Sequence, residues 1–234
     1  MMELQPFKTE REWTADGIPV LSASVSMPQP VPLTGKPARR LHRYYQLQCR
    51  SYLRYCEKML FPQAEREYRA ALATSAPLPL FHAELNYQVT YQDSRFLSLY
   101  TQSCEMAPQQ KLTLRRGDTW DLIHGYPVPL SDFFPDRSGW KRQLLALVEN
   151  EIQRQEQAGI SRYHEGWRKA LRRHFNTQNY YLTHEGLVLF FPMYTLAPAV
   201  EGIPAFLFPY GKEPLSRPES PQNQNRCPSA DGHP

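Results

Sequence analysis

Histidine and glutamate lie close together at His82-Ala83-Glu84 and at His164-Glu165, and both residue types can bind zinc. A zinc deaminase needs a downstream Pro-Cys-x-x-Cys to complete the metal shell, and a zinc protease helix needs a second histidine four residues on. The sequence contains neither the downstream Pro-Cys-x-x-Cys nor the second histidine. We therefore predict no metal site and no cofactor, and we interpret His82 and Glu84 as solvent-facing residues of a strand.

Carboxylates in or beside loops are a second candidate for chemistry, because two of them can act as acid and base in glycan hydrolysis. This set comprises Asp118, Asp121, Asp132 and Glu201. The sequence has no serine-nucleophile elbow, no dinucleotide-binding glycine motif and no phosphate-binding loop. We therefore predict no catalytic residues and no enzyme activity, while a glycan hydrolase with paired carboxylates stays open as an alternative.

A basic stretch is the third candidate, because no acidic residue occurs between Asp16 and Glu57. The residues Arg39, Arg43, Arg50 and Arg54 fall on one side of a helix and form a candidate anion-binding face. The net charge of the whole chain is only +4, which does not favour a nucleic-acid partner. A solvated helix face is the simpler interpretation, and an anionic-polymer binder stays open as a second alternative.

The elements that must position these residues follow from composition and periodicity. The chain of 234 residues contains 22 prolines, which argues against an all-helical bundle. Apolar and polar residues alternate at 18–27 and at 80–91, which predicts half-buried strands and an antiparallel meander. A period of three to four residues from Ala38 predicts an amphipathic helix that Pro62 kinks or divides.

We expect an α+β fold in which antiparallel sheets carry their helices on one face. Four segments are predicted, namely an N-terminal arm at 1–17, a strand-helix-strand half at 18–105, a C-terminal half at 106–210 and a disordered tail at 211–234. The two halves are expected to share one continuous sheet.

Targeting signals and cysteines bear on the compartment. The sequence shows no signal peptide and no apolar run long enough to span a membrane. Cys49 and Cys56 are two helical turns apart, about 10 Å, which is too far for a disulfide. We therefore expect a cytoplasmic protein with reduced cysteines.

The C-terminal third carries a family resemblance. The segments NYYLTHEGLV at 179–188, YTLAP at 194–198 and FPY at 208–210 resemble the closing block of the RsiV-type C-terminal domain, a bacterial family. PLSDFF at 129–134 is similar to the segment that precedes the helix of that family. The resemblance covers residues 110–210. A weaker one, over 18–105, is to the companion N-terminal domain that also occurs beside PdaC-type cell-wall deacetylases.

The resemblance implies a function in binding or sensing. The best-known relatives are membrane-anchored anti-sigma factors whose outer domain binds lysozyme, but this chain has no span and resembles the sensing domain alone. The family often carries a Gly-Gly-Ala-His turn, whereas residues 99–104 read LYTQSC here, so a site shaped by that turn would be altered. We predict a non-catalytic module for a protein or cell-wall ligand, with neither the ligand nor the oligomeric state specified. The candidate contacts are Tyr126, Phe133, Phe134, Met193 and Tyr194.

Overall fold

Two β-sheets organise the chain in the computed structural model, which describes residues 2–108, 110–135, 138–211 and 215. The strands are β1 (Glu3–Ala15), β2 (Ile18–Val31), β3 (Phe81–Gln92), β4 (Phe96–Ala107), β5 (Gln110–Asp121), β6 (Tyr126–Pro127), β7 (Tyr180–Leu182), β8 (Gly186–Phe190) and β9 (Ala205–Pro209). The α-helices are α1 (Gly35–Tyr55), α2 (Phe61–Thr74), α3 (Trp140–Gln157) and α4 (Trp167–His174). In these residues β1 to β6 form the first sheet in chain order, and β7 to β9 form the second.

The residues of the predicted N-terminal arm form an edge strand paired with β2. β1 pairs with β2 in an antiparallel hairpin, and Ala15 faces Ile18 across a two-residue turn. Asp16 and Gly17 make this turn with φ values of 50° and 80°, the left-handed backbone that a tight hairpin turn needs. The Asp-Gly pair is the sequence signal for this hairpin. The polar composition of β1 conceals it, because an edge strand exposes most of its side chains.

Helices α1 and α2 cross from β2 to β3 and cover one face of the first sheet. Because of this long crossover β2 and β3 pair in parallel, with Leu21 opposite Phe81. The other pairs of the sheet are antiparallel, including the predicted meander β3-β4-β5. Leu41 and Tyr45 of α1 are fully buried and belong to one apolar cluster with Leu97 of β4. The predicted α+β class is therefore confirmed.

A π-helical turn at Cys56–Leu60 joins α1 to α2, so the helical segment is interrupted close to Pro62 as predicted. In this turn the N–H of Phe61 donates to the carbonyl of Cys56, five residues earlier. Proline lacks the N–H that would serve the carbonyl four residues before it, and its ring crowds that carbonyl. The widened turn relieves both problems.

The second sheet packs with α3 and α4 around the most aromatic part of the core. These two helices supply an apolar stripe to this core, and β7 to β9 supply the opposing side chains. The buried residues of α3 and α4 are Trp140, Leu144, Val148, Ile152, Trp167 and Leu171. Each sheet thus has its own helical layer.

The two sheets meet at a junction where β7 crosses β5. A Cβ on Gly117 would lie 1.8 Å from the carbonyl oxygen of Tyr180, so this crossing leaves room only for glycine. Beside it Ser98 Oγ lies 2.8 Å from Thr119 Oγ1 and accepts a 2.8 Å hydrogen bond from the N–H of Leu182. This sheet junction fixes the second sheet on β5.

The sheet boundary differs from the predicted division between residues 105 and 106. That division falls inside β4, and the first sheet continues beyond it to Pro127. The second sheet begins at Tyr180, so the expected single continuous sheet is wrong. The predicted disordered tail lies outside the described residues apart from Gly211 and Leu215.

Candidate functional site

A carboxylate of β5, Asp118, is enclosed between the first sheet and helix α1. The side chains of Tyr44, Tyr45 and Gln48 lie within one turn of α1 and reach this carboxylate. The Tyr44 hydroxyl donates to Oδ1 over 2.7 Å. The Tyr45 hydroxyl and Gln48 Nε2 approach Oδ2 at 3.4 and 3.5 Å. Three donors from one helix therefore hold an acidic side chain of the sheet.

Burial decides the electrostatics of this group. It raises the pKa of Asp118 from 3.8 to about 6, because the covered carboxylate loses its hydration. The α1 donors and the Arg116 guanidinium, whose Nε lies 3.7 Å from Oδ1, oppose the shift by favouring the charged form. Burial, followed by the Asp118 charge, raises the pKa of Tyr45 well above its usual value. The Tyr45 hydroxyl therefore stays protonated and remains a hydrogen-bond donor at neutral pH. Asp118, with a pKa of about 6, titrates just below neutral pH.

Aromatic rings hold the tyrosine donors in place. Trp120 Nε1 donates a 3.1 Å hydrogen bond to the Tyr45 hydroxyl. The Tyr44 and Trp120 rings lie edge to face with their centroids 5.0 Å apart. The Arg116 guanidinium carbon lies 5.6 Å from the centre of the Tyr44 ring, within the range of a cation–π contact. This packing fixes the direction in which the donors point.

A cleft of about 510 Å³ opens beside Asp118, between β5, the segment after β6 and the first turn of α3. The Arg116 side chain is half exposed, and Lys141 is exposed on the opposite wall. We call this space the β5 cleft; its lining includes Tyr44, Arg116, Asp118, Ser131, Trp140, Lys141, Gln178 and Tyr180. It combines one buried carboxylate, two basic side chains, amide and hydroxyl groups, and aromatic rings. Convergent polar groups on an aromatic wall are typical of a ligand site.

Two of the five predicted contact residues are buried. Phe133 and Phe134 belong to the core of α3 and the second sheet, with exposed fractions of 0% and 3%. Their assignment as ligand contacts is therefore wrong. Phe133 ends a 3₁₀ turn, and Phe134 leaves it with extended backbone, so both rings reach the core although they are adjacent in sequence.

The remaining candidates lie at opposite ends of β5. Tyr126 is 56% exposed and pairs with Asp121, at the end of the strand. Tyr194 is 48% exposed, with Met193 half-buried beside it, and its hydroxyl donates to the carbonyl of Lys111. Ten residues of strand separate Lys111 from Asp121, about 33 Å. The exposed candidates therefore do not form one contact surface.

The four predicted anion-binding arginines are exposed along α1. Arg39, Arg43, Arg50 and Arg54 follow one side of the helix over about 22 Å. Their stripe is opposite the apolar face that packs on the first sheet. In the described part of the chain no ion pair involves them. The structure thus shows an accessible basic stripe.

The candidate carboxylates are scattered. Asp118 and Asp121 are an odd number of residues apart on one strand, so their side chains leave opposite faces of the sheet. Asp121 accepts hydrogen bonds from the backbone of Ile123 and His124. Glu201 accepts one from the N–H of Arg162. Among the described residues Asp118 is the one member of the predicted set that lines the β5 cleft.

The His82 and Glu84 side chains lie on the sheet face away from α1, as the alternation predicts. His82 is exposed, and its Nδ1 lies 2.7 Å from Ser22 Oγ. In the part of the chain that the structure describes, no group of three or more metal-ligating side chains comes together.

Sequence reasoning missed the partners of Asp118. Tyr44 and Tyr45 are more than seventy residues from it along the chain. Two adjacent tyrosines and a glutamine one turn later are a polar interruption in a helix face that otherwise packs on a sheet. That interruption is the signal that could have indicated a buried acceptor.

No helix within the described ranges is long and apolar enough to cross a bilayer.

Comparisons with known proteins identify relatives of uncharacterised function. Residues 131–211 match the model of a family described as a protein of unknown function, DUF3298. A crystal structure of a DUF3298 family member from Bacteroides fragilis covers 93% of this chain and 94% of its own, with a TM-score of 0.69 and 16% identity. A DUF3298 family protein from Pseudomonas aeruginosa covers 89% and 91%, with a TM-score of 0.56 and 14% identity. At these identities the likeness shows a shared fold. No curated protein matches the sequence.

Proposed function

We propose that this chain is a non-catalytic binding module that takes a protein ligand in the β5 cleft. One observation carries the proposal: the described lining of the cleft contains a single buried carboxylate, and three donors from α1 already hold it. A side chain fixed in this way can shape and charge a binding surface. Binding of a cell-wall ligand, the other ligand class that the sequence predicts, is one outcome of the test.

The geometry favours binding over hydrolysis. Glycan hydrolysis needs two carboxyl groups about 5–10 Å apart that flank the same bond. Asp121 leaves the sheet on the face opposite to Asp118. The described lining of the cleft holds no second carboxylate.

The resemblance to RsiV-type C-terminal domains supports a ligand of this class. The matched family region at 131–211 includes Ser131, Trp140, Lys141, Gln178 and Tyr180, which form the far wall of the cleft. The RsiV-type assignment and its PdaC-like companion domain are part of this proposal. The relatives' lysozyme ligand is a first protein to test.

The experiment titrates the chain with lysozyme and, separately, with soluble peptidoglycan fragments by isothermal calorimetry. Gln178 lines the cleft from an exposed loop, so Gln178→Trp should fill the space without disturbing the core. Gln157→Trp, at the exposed end of α3, is the matched control. We expect lysozyme binding tighter than about 1 mM that only Gln178→Trp weakens, by about tenfold or more.

Two results would contradict this proposal. Binding of peptidoglycan fragments in place of lysozyme would replace the protein ligand by a glycan. Equal affinities of Gln178→Trp and Gln157→Trp for whichever probe binds would remove the cleft from the function.

A second candidate function rests on the accessible basic stripe of α1. An anionic polymer that contacts Arg39, Arg43, Arg50 and Arg54 would release counterions, so its affinity should fall steeply with salt. Heparin titrated at several salt concentrations tests this. A quadruple Arg→Gln variant should remove the salt dependence, and salt-independent or absent binding eliminates the candidate.

A further inference from the structure

Among the described residues one edge of strand β5 is open along most of its length, because β6 pairs with only its last two residues. In an antiparallel strand the N–H and C=O of one residue point to the same side. The carbonyl of Thr119 accepts a hydrogen bond from the N–H of Val128, and the carbonyl of Lys111 accepts one from the Tyr194 hydroxyl. Odd-numbered residues of β5 therefore direct their backbone polar groups away from β4.

The open part of this edge is long enough for a short added strand. Thr113, Arg115 and Gly117 lie between those two contacts and share their parity, so each directs an N–H and a C=O outward. No strand of the described residues pairs with this edge over 112–118. Residues 112–118 span about 20 Å. An extended peptide of roughly seven residues would fit beside them.

The surroundings of the edge are basic. Lys111, Arg115 and Arg116 belong to β5 itself, and Lys141 lies across the β5 cleft. Two acidic residues lie at this end of the strand. Asp118 is held by donors from α1, and Asp121 accepts hydrogen bonds from the N–H groups of Ile123 and His124. The field at the edge therefore favours negative charge in an approaching chain.

A second cleft lies between α1 and the face of the first sheet, and it reaches from β3 to β5. Leu47 of α1 and Leu114 of β5 line a space of about 490 Å³ that shares Tyr44 and Arg116 with the β5 cleft. Both leucines are about half exposed, at 55% and 48%. This space can take one apolar side chain, because even-numbered residues of β5 face α1 and a paired strand places its side chains on the same faces.

We propose that the open edge of β5 binds an extended acidic segment of the partner protein as an added strand. This inference rests on the proposed binding function and names its mode. Main-chain hydrogen bonds to Thr113 and Arg115 supply affinity, and the side chains that alternate along the added strand supply specificity. An acidic residue is expected opposite Arg116, and an apolar one opposite Leu114.

The same basic side chains disfavour a second copy of this chain at the edge. Pairing two β5 edges would bring the Lys111, Arg115 and Arg116 charges of both copies together, and like charges on paired strands are destabilising. An acidic strand meets no such penalty. The basic side chains beside the edge thus attract an acidic strand and repel a basic one.

The test uses a fluorescein-labelled peptide, Thr-Thr-Glu-Glu-Val-Thr-Thr, and measures its fluorescence anisotropy with the whole chain. Run antiparallel to β5, its third and fourth residues face Arg116 and Arg115, and its valine faces Leu114. N-methylation of the second, fourth and sixth residues removes the N–H groups that would point at β5. N-methylation of the third and fifth residues is the matched control, because those groups point away.

We expect the parent peptide to bind with a Kd below about 1 mM and the control peptide to bind within about twofold of it. The peptide methylated at the second, fourth and sixth residues, and a peptide with lysine in place of glutamate, should each bind at least about tenfold more weakly. Equal binding of the two methylated peptides, or of the glutamate and lysine peptides, overturns the inference.

Variants of the protein provide an independent readout. Thr113→Pro removes an outward N–H for which no acceptor is found among the described residues, and Thr113→Ala retains it. Only the proline variant should lose peptide binding, with folding of both checked by circular dichroism. If the peptide does not bind while Gln178→Trp still weakens lysozyme binding, the strand-addition inference fails and the proposed function stands. If neither effect is seen, both fail.

Discussion

Replacing Asp118 by asparagine should remove a pH dependence from the stability of the protein. Asparagine has the shape of the protonated acid and keeps an acceptor for the Tyr44 hydroxyl. It cannot ionise, so it does not carry the cost of a buried charge. Lost hydrogen bonds to Tyr45 and Gln48 would shift stability by the same amount at every pH, and the slope with pH is therefore the diagnostic quantity.

The sign and magnitude follow from the raised pKa of Asp118. Between its ordinary pKa of 3.8 and about 6, the folded protein holds a proton that the unfolded chain has lost. The stability contributed by the protonated form is complete below pH 3.8 and is lost as pH rises through about 6. The full loss is ~3 kcal/mol, of which ~1.3 kcal/mol falls between pH 5 and pH 7.

Urea unfolding of the wild type and Asp118→Asn at pH 5, 6 and 7 measures this quantity. We expect the free energy of unfolding of the wild type, relative to the variant, to fall by ~1.3 kcal/mol over this range. Asp121→Asn is the control. Burial opposes the charged form of Asp121, but hydrogen bonds from His124 and Ile123 outweigh it and hold its pKa below the ordinary value. Its titration therefore lies below this range. A flat or rising difference for Asp118→Asn would refute the reasoning.

Five further substitutions, two of them controls, test the sheet junction and the corrected contacts by urea unfolding. Gly117→Ala should destabilise the protein by at least about 3 kcal/mol, because the new Cβ meets a backbone carbonyl at 1.8 Å; Gly166→Ala, with open space around it, should change stability by less than about 0.5 kcal/mol. Ser98→Ala should cost about 1–3 kcal/mol, because it leaves a buried N–H without its acceptor. Phe133→Ala should cost about 3–5 kcal/mol and Tyr126→Ala less than about 0.5 kcal/mol, and similar values for the two would contradict the distinction between core and surface.

The fold was predictable where a single period dominates. The apolar stripe of α1 and the alternation from Phe81 to Gln92 each specify one face, and the structure buries that face. Strand β1 was not predicted, because its side chains are mostly exposed and show no apolar face, although Asp16 and Gly17 carry the turn signal. The sequence pattern therefore predicts a helix or strand when one face of that element is buried, because burial requires apolar residues at regular positions.

The candidate site was predictable only in part, because its residues come from distant segments. The sequence drew attention to Asp118 as an acid, but neither its burial nor its tyrosine partners can be read from spacing along one segment. Phe133 and Phe134 looked like exposed loop aromatics, and a 3₁₀ turn followed by extended backbone directs both inward. These outcomes depend on tertiary contacts between elements that the sequence separates.

Two features that reduce stability meet at the same place on β5. An ionised Asp118 costs ~3 kcal/mol at neutral pH relative to an ordinary carboxylate. In the described part of the chain the adjacent strand edge also has outward backbone groups without a neighbouring strand. A neutral side chain at 118 and a longer β6 would remove both costs without changing the topology. Local features that oppose folding persist where a site needs them. In the proposed binding mode Asp118 holds Tyr44 and Arg116 in place as a preformed wall beside the edge, and an acidic strand bound there would pair with the outward backbone groups of β5.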